Sequence, residues 1–286
     1  MSATTPETAS QATEAEARVS DDGTRTLYEG CPLCTATEIE NLREVSCNSH
    51  PLWSPGLPER MRWMSCRACG HVFTEGHYQP AALEKLLEKT NPHQEPGGDA
   101  QAGRAASARI VGAAVDLAGG KCGRWIDVGF GSGALLATAA EFGFEAAGID
   151  LRGSVVEKMR GLGYAAFQAE LPQISDEGMF DVISLADVLE HVPFPGDAML
   201  QVRRLLRDDG LLFVSCPNSD TLVWRTLDAA DRNPYWGEIE HYHNFDRARL
   251  YALLGVWGFA PVRYSVSERY ISGMEILARK MPESGS

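Results

Sequence analysis

The sequence lacks an unbroken apolar run of the roughly 20 residues that a transmembrane helix needs, so no membrane contact is expected. It is also short of positive charge. Its 26 lysines and arginines face 39 aspartates and glutamates, which gives a formal net charge of -13. A polyanion would approach this chain against its global field, which disfavours binding to nucleic acid through phosphate contacts. A small-molecule substrate is therefore favoured.

The first residues lack the basic n-region and the apolar h-region of a secretory signal. Residues 1–27 are rich in Ala, Thr, Ser and Glu, and this composition predicts a disordered tail because it offers little material for a core. The chain has seven cysteines. Without a leader they indicate a reducing compartment and metal ligation rather than disulfides. We therefore expect a cytoplasmic protein.

The length of 286 residues suits one α/β domain and a smaller unit. We expect a tail over 1–27, a cysteine module over 28–80, a linker with a short helix over 81–104, and the larger domain over 105–282. In the larger domain extended and helical patterns alternate, which predicts a doubly wound, Rossmann-like α/β fold with seven strands. The expected strands are Arg124–Val128, Glu145–Asp150, Ala165–Gln168, Phe180–Leu185, Gly210–Cys216, Val262–Val266 and Glu275–Arg279.

Two C-x-x-C pairs lie in the smaller unit, Cys31-Pro-Leu-Cys34 and Cys66-Arg-Ala-Cys69. Zn²⁺ binds four thiolates in a tetrahedron, and each C-x-x-C turn points two thiolates at one centre. The pattern predicts a zinc-ribbon-like module with a structural zinc ion and no open coordination position. A redox pair is disfavoured because the segment lacks thioredoxin-like βαβ surroundings.

Other metal ligands remain open in the same unit. Cys47-Asn-Ser-His50 has a spacing that also suits a metal, and His71 could replace a cysteine. The four-cysteine set ranks first because a lone Cys/His pair in a loop is more often structural or solvated.

A buried strand, a glycine-rich turn and a helix start follow one another at Asp127-Val-Gly129-Phe-Gly131-Ser-Gly133. The glycines let a nucleoside ligand approach the backbone at the carboxyl edge of the sheet. The segment also fits a dinucleotide fingerprint, with Asp150 at the right distance to bind a ribose. Charge separates the alternatives, because S-adenosylmethionine brings an ammonium and a sulfonium where a dinucleotide brings a pyrophosphate. Asp127 suits the cation.

The glycine loop, followed by Gly148-Ile-Asp150, resembles that of class I S-adenosylmethionine-dependent methyltransferases. The resemblance extends over most of the larger domain, through the segments 168–172, 180–192 and 210–218. Where relatives often carry Asp to accept the adenine amine, this chain has Gln168, whose amide oxygen can also accept. The resemblance implies donor binding by Asp127, Gly129, Gly131, Gly133, Asp150, Leu151, Gln168, Ala169, Glu170 and Ala186.

The segment 234–246 packs carboxylates, imidazoles and aromatic rings together just before a helix. Its Glu240-His241 pair, followed by Phe245, is similar to the Glu-His…Phe segment of zinc-containing deoxysugar C-methyltransferases, in which the histidine loop covers the substrate. Methyl transfer to a hydroxyl or a carbon acid requires removal of a proton, and a histidine suits this role near neutral pH. The candidate catalytic residues are His241, His243, Glu240 and His191, with His241 favoured as the base.

Alternatively, His241 and His243 brace the helix that begins near Arg247, with Asp246 as its N-cap. The leading functional prediction is methyl transfer to a hydroxyl or carbon of a small molecule in a sugar or natural-product pathway. An RNA or protein methyltransferase is disfavoured by the acidic balance and the lack of a basic patch. A nicotinamide-dependent reductase is the third alternative.

Overall fold

Two small antiparallel sheets form the N-terminal part of the protein. The computed structural model describes residues 18–98, 100–175 and 177–282. The first strands are β1 (Arg25–Leu27), β2 (Ile39–Ser46), β3 (Arg60–Cys66), β4 (Val72–Thr74) and β5 (Gly76–Tyr78). Strand β1 pairs with β5, while β2, β3 and β4 form one antiparallel sheet.

Strand β1 corrects the expectation of a tail over 1–27, of which 1–17 lie outside the described residues. Arg25 is buried, its guanidinium donates to the carbonyl of Gly76 at 2.8 Å, and it lies 4.2 Å from the centroid of the Tyr78 ring. The composition of residues 1–27 predicted an exposed Arg25. In the structure the stem and guanidinium of this arginine pack on an aromatic face instead.

The remaining elements alternate between helix and strand. After α1 (Pro80–Leu87) and α2 (Ala100–Leu117) they are β6 (Arg124–Val128), α3 (Ala134–Glu141), β7 (Glu145–Asp150), α4 (Gly153–Gly161), β8 (Ala165–Gln168), β9 (Phe180–Ala186), α5 (Pro195–Leu205), β10 (Leu206–Pro217), α6 (Leu222–Ala229), β11 (His243–Asn244), α7 (Arg247–Val256), β12 (Phe259–Val266) and β13 (Gly273–Lys280).

The central sheet has seven strands in the order β12-β13-β10-β9-β6-β7-β8. Strands β6 to β10 pair in parallel, and β13 is antiparallel to both of its neighbours. The predicted doubly wound α/β fold with seven strands is confirmed. The strand order reverses between the parallel neighbours β6 and β9, because β7 and β8 lie on one side of β6 and β9 and β10 on the other. The carboxyl ends of strands at such a point border the crevice in which ligands of these folds bind.

Apolar stripes on the helices cover the sheet. Met199, Val202 and Leu205 of α5 are fully buried, as are Leu250 and Leu254 of α7. Among the described residues no helix has both the length and the hydropathy to cross a membrane.

Strand β11 joins the two parts of the protein. His243 and Asn244 pair antiparallel with β4, which makes β11 the edge strand of the sheet β11-β4-β3-β2. The segment before it packs Trp236 and Ile239 into a cluster with Trp63, and Trp63 Nε1 donates to the carbonyl of Trp236 at 2.8 Å. The segment that resembles a substrate loop is therefore built into the cysteine module.

Helix α7 starts as predicted. The Asp246 carboxylate accepts a hydrogen bond from the Arg249 N–H at 2.7 Å, so Asp246 is the N-cap.

Candidate active site

The turn after β6 has left-handed backbone at Gly129, Gly131 and Gly133, with φ of 63°, 49° and 72°. Glycine adopts this region without the steric cost that a side chain incurs. Space is also limiting, because a Cβ on Gly129 would lie 2.8 Å from Val188 Cγ2. The loop is therefore a bare backbone cradle whose opposite wall is the turn after β9.

Asp127 lies at the base of this cradle and is buried. Its Oδ1 accepts a hydrogen bond from Ser184 Oγ at 2.6 Å. Burial raises the pKa of Asp127 to about 7, although the Ser184 hydroxyl opposes the shift. The Ser184 contact was not predicted from the sequence, since it joins neighbouring strands 57 residues apart in the chain.

Asp150 ends β7 beside the glycine loop. Its Oδ2 accepts the N–H of Gly131 at 3.2 Å, and its two oxygens accept from Nε and Nη2 of Arg152 at 3.1 Å each. The buried carboxylate is thus fixed at the edge of the cradle.

A groove of about 430 Å³ lies between α1 and the start of α4, next to Asp150 in the chain. Its volume is within the range of about 300–1,000 Å³ for small-molecule sites. Gln168 borders it and donates through Nε2 to the carbonyl of Leu151 at 2.9 Å, so its Oε1 is the remaining acceptor. Ala169 and Glu170 follow β8, and Ala186 ends β9. The groove is lined by Pro80, Leu83, Glu84, Leu87, Glu88, Leu151, Arg152, Gly153 and Gln168.

The turn after β9 begins at Asp187, a non-glycine residue with φ of 56°. Its carboxylate accepts from Ser215 Oγ at 3.0 Å and pairs with Arg269 at 2.9 Å. Arg269 was missed because a lone arginine in a loop carries no sequence signal for its partner.

His191 and His241 meet beyond this turn, with ring centroids 4.7 Å apart in an edge-to-face contact. His191 Nδ1 lies 2.9 Å from the carbonyl oxygen of Glu240. Because a carbonyl only accepts, Nδ1 carries the proton, and the neutral ring has its lone pair on Nε2. His191 can therefore accept a proton at Nε2.

Glu190 and His241 complete the cluster, and both are buried. Within the described ranges Glu190 Oε2 and His241 Nδ1 have no hydrogen-bond partner. Burial raises the pKa of Glu190 well above its usual range, with a further contribution from Asp187. Burial, and then the neighbouring His191, lowers the pKa of His241 to about 3. Glu190 and His241 are thus neutral, and each has a buried side-chain atom without a partner among the described residues.

The other two predicted catalytic residues point elsewhere. His243 Nδ1 lies 3.0 Å from His71 Nε2, and its Nε2 lies 2.9 Å from the carbonyl oxygen of Val192. The Glu240 carboxylate lies 3.5 Å from Asn91 Nδ2. Of the predicted set, the structure therefore brings together His191, His241 and the backbone of Glu240.

The four predicted metal-binding cysteines converge, with all sulfur atoms within 4.8 Å of one another. The distances are 3.7 Å for Cys31–Cys69 and 3.5 Å for Cys34–Cys66, close to the edge of about 3.8 Å in a tetrahedron with zinc–sulfur bonds of about 2.3 Å. Thr35 and Gly70, which follow the two knuckles, are both left-handed. The residues fit a zinc ion.

One further group in the described chain has ligand atoms equally close, namely Glu190, His191 and His241.

A family profile described as a methyltransferase domain matches residues 76–264. The ubiquinone biosynthesis O-methyltransferase of Methylococcus capsulatus is 32% identical over 147 residues, which cover 48% of this chain and 61% of the relative. Its namesake in Burkholderia cenocepacia is 32% identical over 103 residues, covering 33% and 44%. The chain thus spans less than two thirds of the length of these relatives.

Solved structures share the fold. The 1,6-didemethyltoxoflavin-N1-methyltransferase of Burkholderia thailandensis, with S-adenosylhomocysteine bound, is 23% identical with a TM-score of 0.50 and covers 64% of this chain and 80% of its own. The magnesium protoporphyrin IX methyltransferase of Synechocystis PCC 6803, also with S-adenosylhomocysteine, is 20% identical with a TM-score of 0.51, covering 63% and 84%.

Proposed function

Because the chain belongs to the class I S-adenosylmethionine-dependent methyltransferases, we propose that it methylates a hydroxyl oxygen of a small molecule. The O-methyltransferase names of the curated relatives support the choice of acceptor atom. The finer proposal is an intermediate of a sugar or natural-product pathway, which is supported by the similarity of the segment 234–246 to substrate-covering loops.

The donor would lie along the glycine cradle and the groove. Asp150 would accept hydrogen bonds from the ribose hydroxyls, and Asp127 would face the ammonium of the amino-acid end. Gln168 Oε1 would accept from the adenine amine. The backbone wall of the donor site would come from Gly129, Gly131, Gly133, Leu151, Ala169, Glu170 and Ala186.

The acceptor would lie at the cluster of Glu190, His191 and His241. The observation that carries this assignment is the pair of buried, unpartnered atoms in the described cluster, Glu190 Oε2 and His241 Nδ1. Buried polar groups normally have partners, and a bound molecule is one source of the missing ones. An acceptor with polar substituents would supply both hydrogen bonds.

Bound S-adenosylmethionine would supply an electrophilic methyl carbon, with the neutral thioether S-adenosylhomocysteine as the leaving group. The acceptor oxygen forms the new bond to carbon, and its proton passes to an imidazole of the pair His191 and His241. His191 is the ring whose lone pair the structure orients. His241 is the base favoured by similarity, although its pKa of about 3 makes it the weaker proton acceptor near neutral pH. The carbonyl of Glu240 would orient the His191 ring, and His243 would donate a hydrogen bond to the turn after β9.

We also propose that Cys31, Cys34, Cys66 and Cys69 hold one structural zinc ion. Four thiolates leave no open coordination position, so the ion would stabilise the fold without taking part in the reaction.

Two experiments test the proposed function in sequence. Thermal unfolding with S-adenosylhomocysteine or NADH should show stabilisation by the former alone. Labelled methyl donor should then be offered to phenols, polyhydroxylated ring compounds, nucleotide sugars and structured RNA. Base-stable label on a hydroxyl compound would support the proposal. Label on RNA or on a carbon atom would contradict it.

A further inference from the structure

The carbonyls of Val192 and Pro193, in the turn after β9, are linked by hydrogen bonds to residues of the N-terminal part of the chain. The Tyr28 hydroxyl donates to the carbonyl of Pro193 at 2.8 Å. The carbonyl of Val192 accepts from His243 Nε2 at 2.9 Å, and His243 Nδ1 lies 3.0 Å from His71 Nε2. His71 thus reaches the turn through His243.

The carbonyl of Val192 fixes which atoms donate and which accept in the hydrogen bonds from His71 through His243 to Val192. The carbonyl of Val192 only accepts, so His243 carries its proton on Nε2 and accepts through Nδ1. His71 must then donate through Nε2, which leaves its own Nδ1 without a proton. That nitrogen is buried and has no partner in the part of the chain that the structure describes.

Packing alone does not require an imidazole at position 71. The His71 ring stacks on Phe73 at 5.8 Å with an interplanar angle of 7°, and it lies 5.3 Å from the ring of Phe245. A phenyl ring would make the same contacts without an unpartnered nitrogen, which is unfavourable when buried. The feature that needs the histidine is the hydrogen bond to His243.

The backbone of His71 is fixed by the second cysteine knuckle. The Cys66 N–H donates to the carbonyl of His71 at 2.9 Å, and the Gly70 N–H donates to the carbonyl of Cys66 at 2.8 Å. The start of β4 is therefore tied to the knuckle that carries Cys66 and Cys69.

The start of this turn, at residues 187 and 188, borders the glycine cradle. Val188 is the side chain that approaches Gly129. The N–H of Asp187 donates to Ser215 Oγ at 3.0 Å, which anchors the start of the turn to β10. The middle is held by the N–H of Tyr242, which donates to the carbonyl of Glu190 at 2.8 Å. The hydrogen bond from His243 to Val192 is thus one of several that hold this turn beside the glycine cradle.

We propose that His71 is a positioning residue for donor binding, which acts through His243 and Val192 to hold the turn of residues 187–194 against the glycine cradle. The cysteine module then supports the donor site through this turn. This inference rests on the donor site proposed above.

The test uses the full chain, with S-adenosylhomocysteine as the probe. His71→Phe keeps the ring packing and removes the hydrogen bond, while His71→Gln keeps a donor. By calorimetry, His71→Phe should weaken binding about 2- to 10-fold, the range for one lost hydrogen bond between neutral groups, and His71→Gln should restore most of it. Amide exchange should rise in residues 187–194 and stay unchanged in α4.

Binding of S-adenosylhomocysteine by the wild-type protein tests the donor site by itself. The ratio of the dissociation constants of variant and wild type tests the contribution of the hydrogen bonds from His71 through His243 to Val192. Unchanged affinity and unchanged exchange in His71→Phe with full zinc content would overturn the inference. If His71→Phe does not fold, Tyr28→Phe removes the adjacent hydrogen bond to Pro193 and should weaken binding in the same way. Wild-type affinity in that variant would also overturn it.

Discussion

His50 Nε2 lies 2.7 Å from Glu238 Oε1. The N–H of Leu52 donates to His50 Nδ1 at 3.2 Å, so Nε2, which lies beside the carboxylate, is the nitrogen of this ring that carries a proton. Burial would raise the pKa of Glu238, but the hydrogen bond from His50 and the neighbouring His241 lower it to about 2. The histidine of the Cys47-x-x-His50 spacing therefore has a carboxylate partner, and Cys47 Sγ donates to the carbonyl of Pro58 at 3.0 Å.

Purified protein should contain about one zinc ion per chain by elemental analysis. Cys66→Ser should lose it, because three thiolates and a hydroxyl form a much poorer zinc site. Cys47→Ser and His50→Gln are matched controls that should keep full zinc content. Metal retained in Cys66→Ser would mean that the ligand set is wrong. With two ions per chain, Glu190, His191 and His241 would be the candidate ligands of the second ion, which would occupy the proposed base.

The His243 ring should make the fold sensitive to acid. Burial lowers the pKa of His243 to about 4, against a reference value of 6.5. The unfolded chain therefore takes up a proton that the folded chain excludes, and the contribution to stability is present above pH 6.5 and lost as pH falls toward 4.

His243→Gln isolates this contribution, because an amide can hydrogen-bond to Val192 and His71 without titrating. Between pH 7 and pH 5, urea unfolding of the wild type should lose about 2 kcal/mol more stability than unfolding of the variant. Zinc content is measured at both pH values, so that metal loss is not mistaken for the effect. Equal losses in both proteins would show that His243 does not exclude the proton.

The strands of the larger domain could be predicted because each is a local pattern, and β6, β7 and β8 begin and end at the predicted residues. The paired cysteines were predictable for the same reason. Strand β11 was not, because two residues without an apolar pattern of their own pair with β4 across about 170 positions. Arg269 and Ser184 were missed because their roles depend on which strands become neighbours. The donor cradle is thus mostly local in sequence, whereas the acceptor cluster is assembled by tertiary contacts.

Asp150→Ala should weaken binding of S-adenosylhomocysteine by about 1–3 kcal/mol, the range for lost hydrogen bonds to a charged group. Calorimetry measures the affinity. Asp116→Ala removes an exposed carboxylate of α2 and should bind like the wild type. Because Asp150 also holds Arg152, Arg152→Ala shows how much of the loss comes from freeing the arginine. Wild-type affinity in Asp150→Ala would refute ribose binding by this residue.

Donor affinity should depend on pH through Asp127, whose pKa burial raises to about 7. The ammonium of S-adenosylhomocysteine favours the carboxylate form, so binding releases a proton and affinity falls as pH drops below 7. We expect binding at pH 6 to be roughly tenfold weaker than at pH 8.

Asp127→Asn should bind weakly and without this pH dependence. Ser184→Ala is a sharper control. It removes a hydrogen bond that lowers the pKa of Asp127, so the loss of affinity should begin at higher pH. An identical pH dependence in Asp127→Asn would assign the titration to another group.

The histidine pair should carry the proton transfer. Once the labelled-donor screen has identified the acceptor, kcat is measured for His241→Ala and His191→Ala. Both variants should have a lower kcat, and the variant that lacks the base should lose about 10²–10⁴-fold. Binding of S-adenosylhomocysteine should stay intact in both. For an ionisable acceptor, raising the pH should restore part of the lost rate in the base variant, because the acceptor then arrives deprotonated.

A ring that only braces the loop would give a different pattern, with a lower free energy of unfolding, a mild loss of kcat and no rescue at high pH. His243→Gln should follow that second pattern, since both of its ring nitrogens are engaged by His71 and Val192. If both His241→Ala and His191→Ala keep near-normal rates, alignment of acceptor and donor alone suffices and no base is assigned.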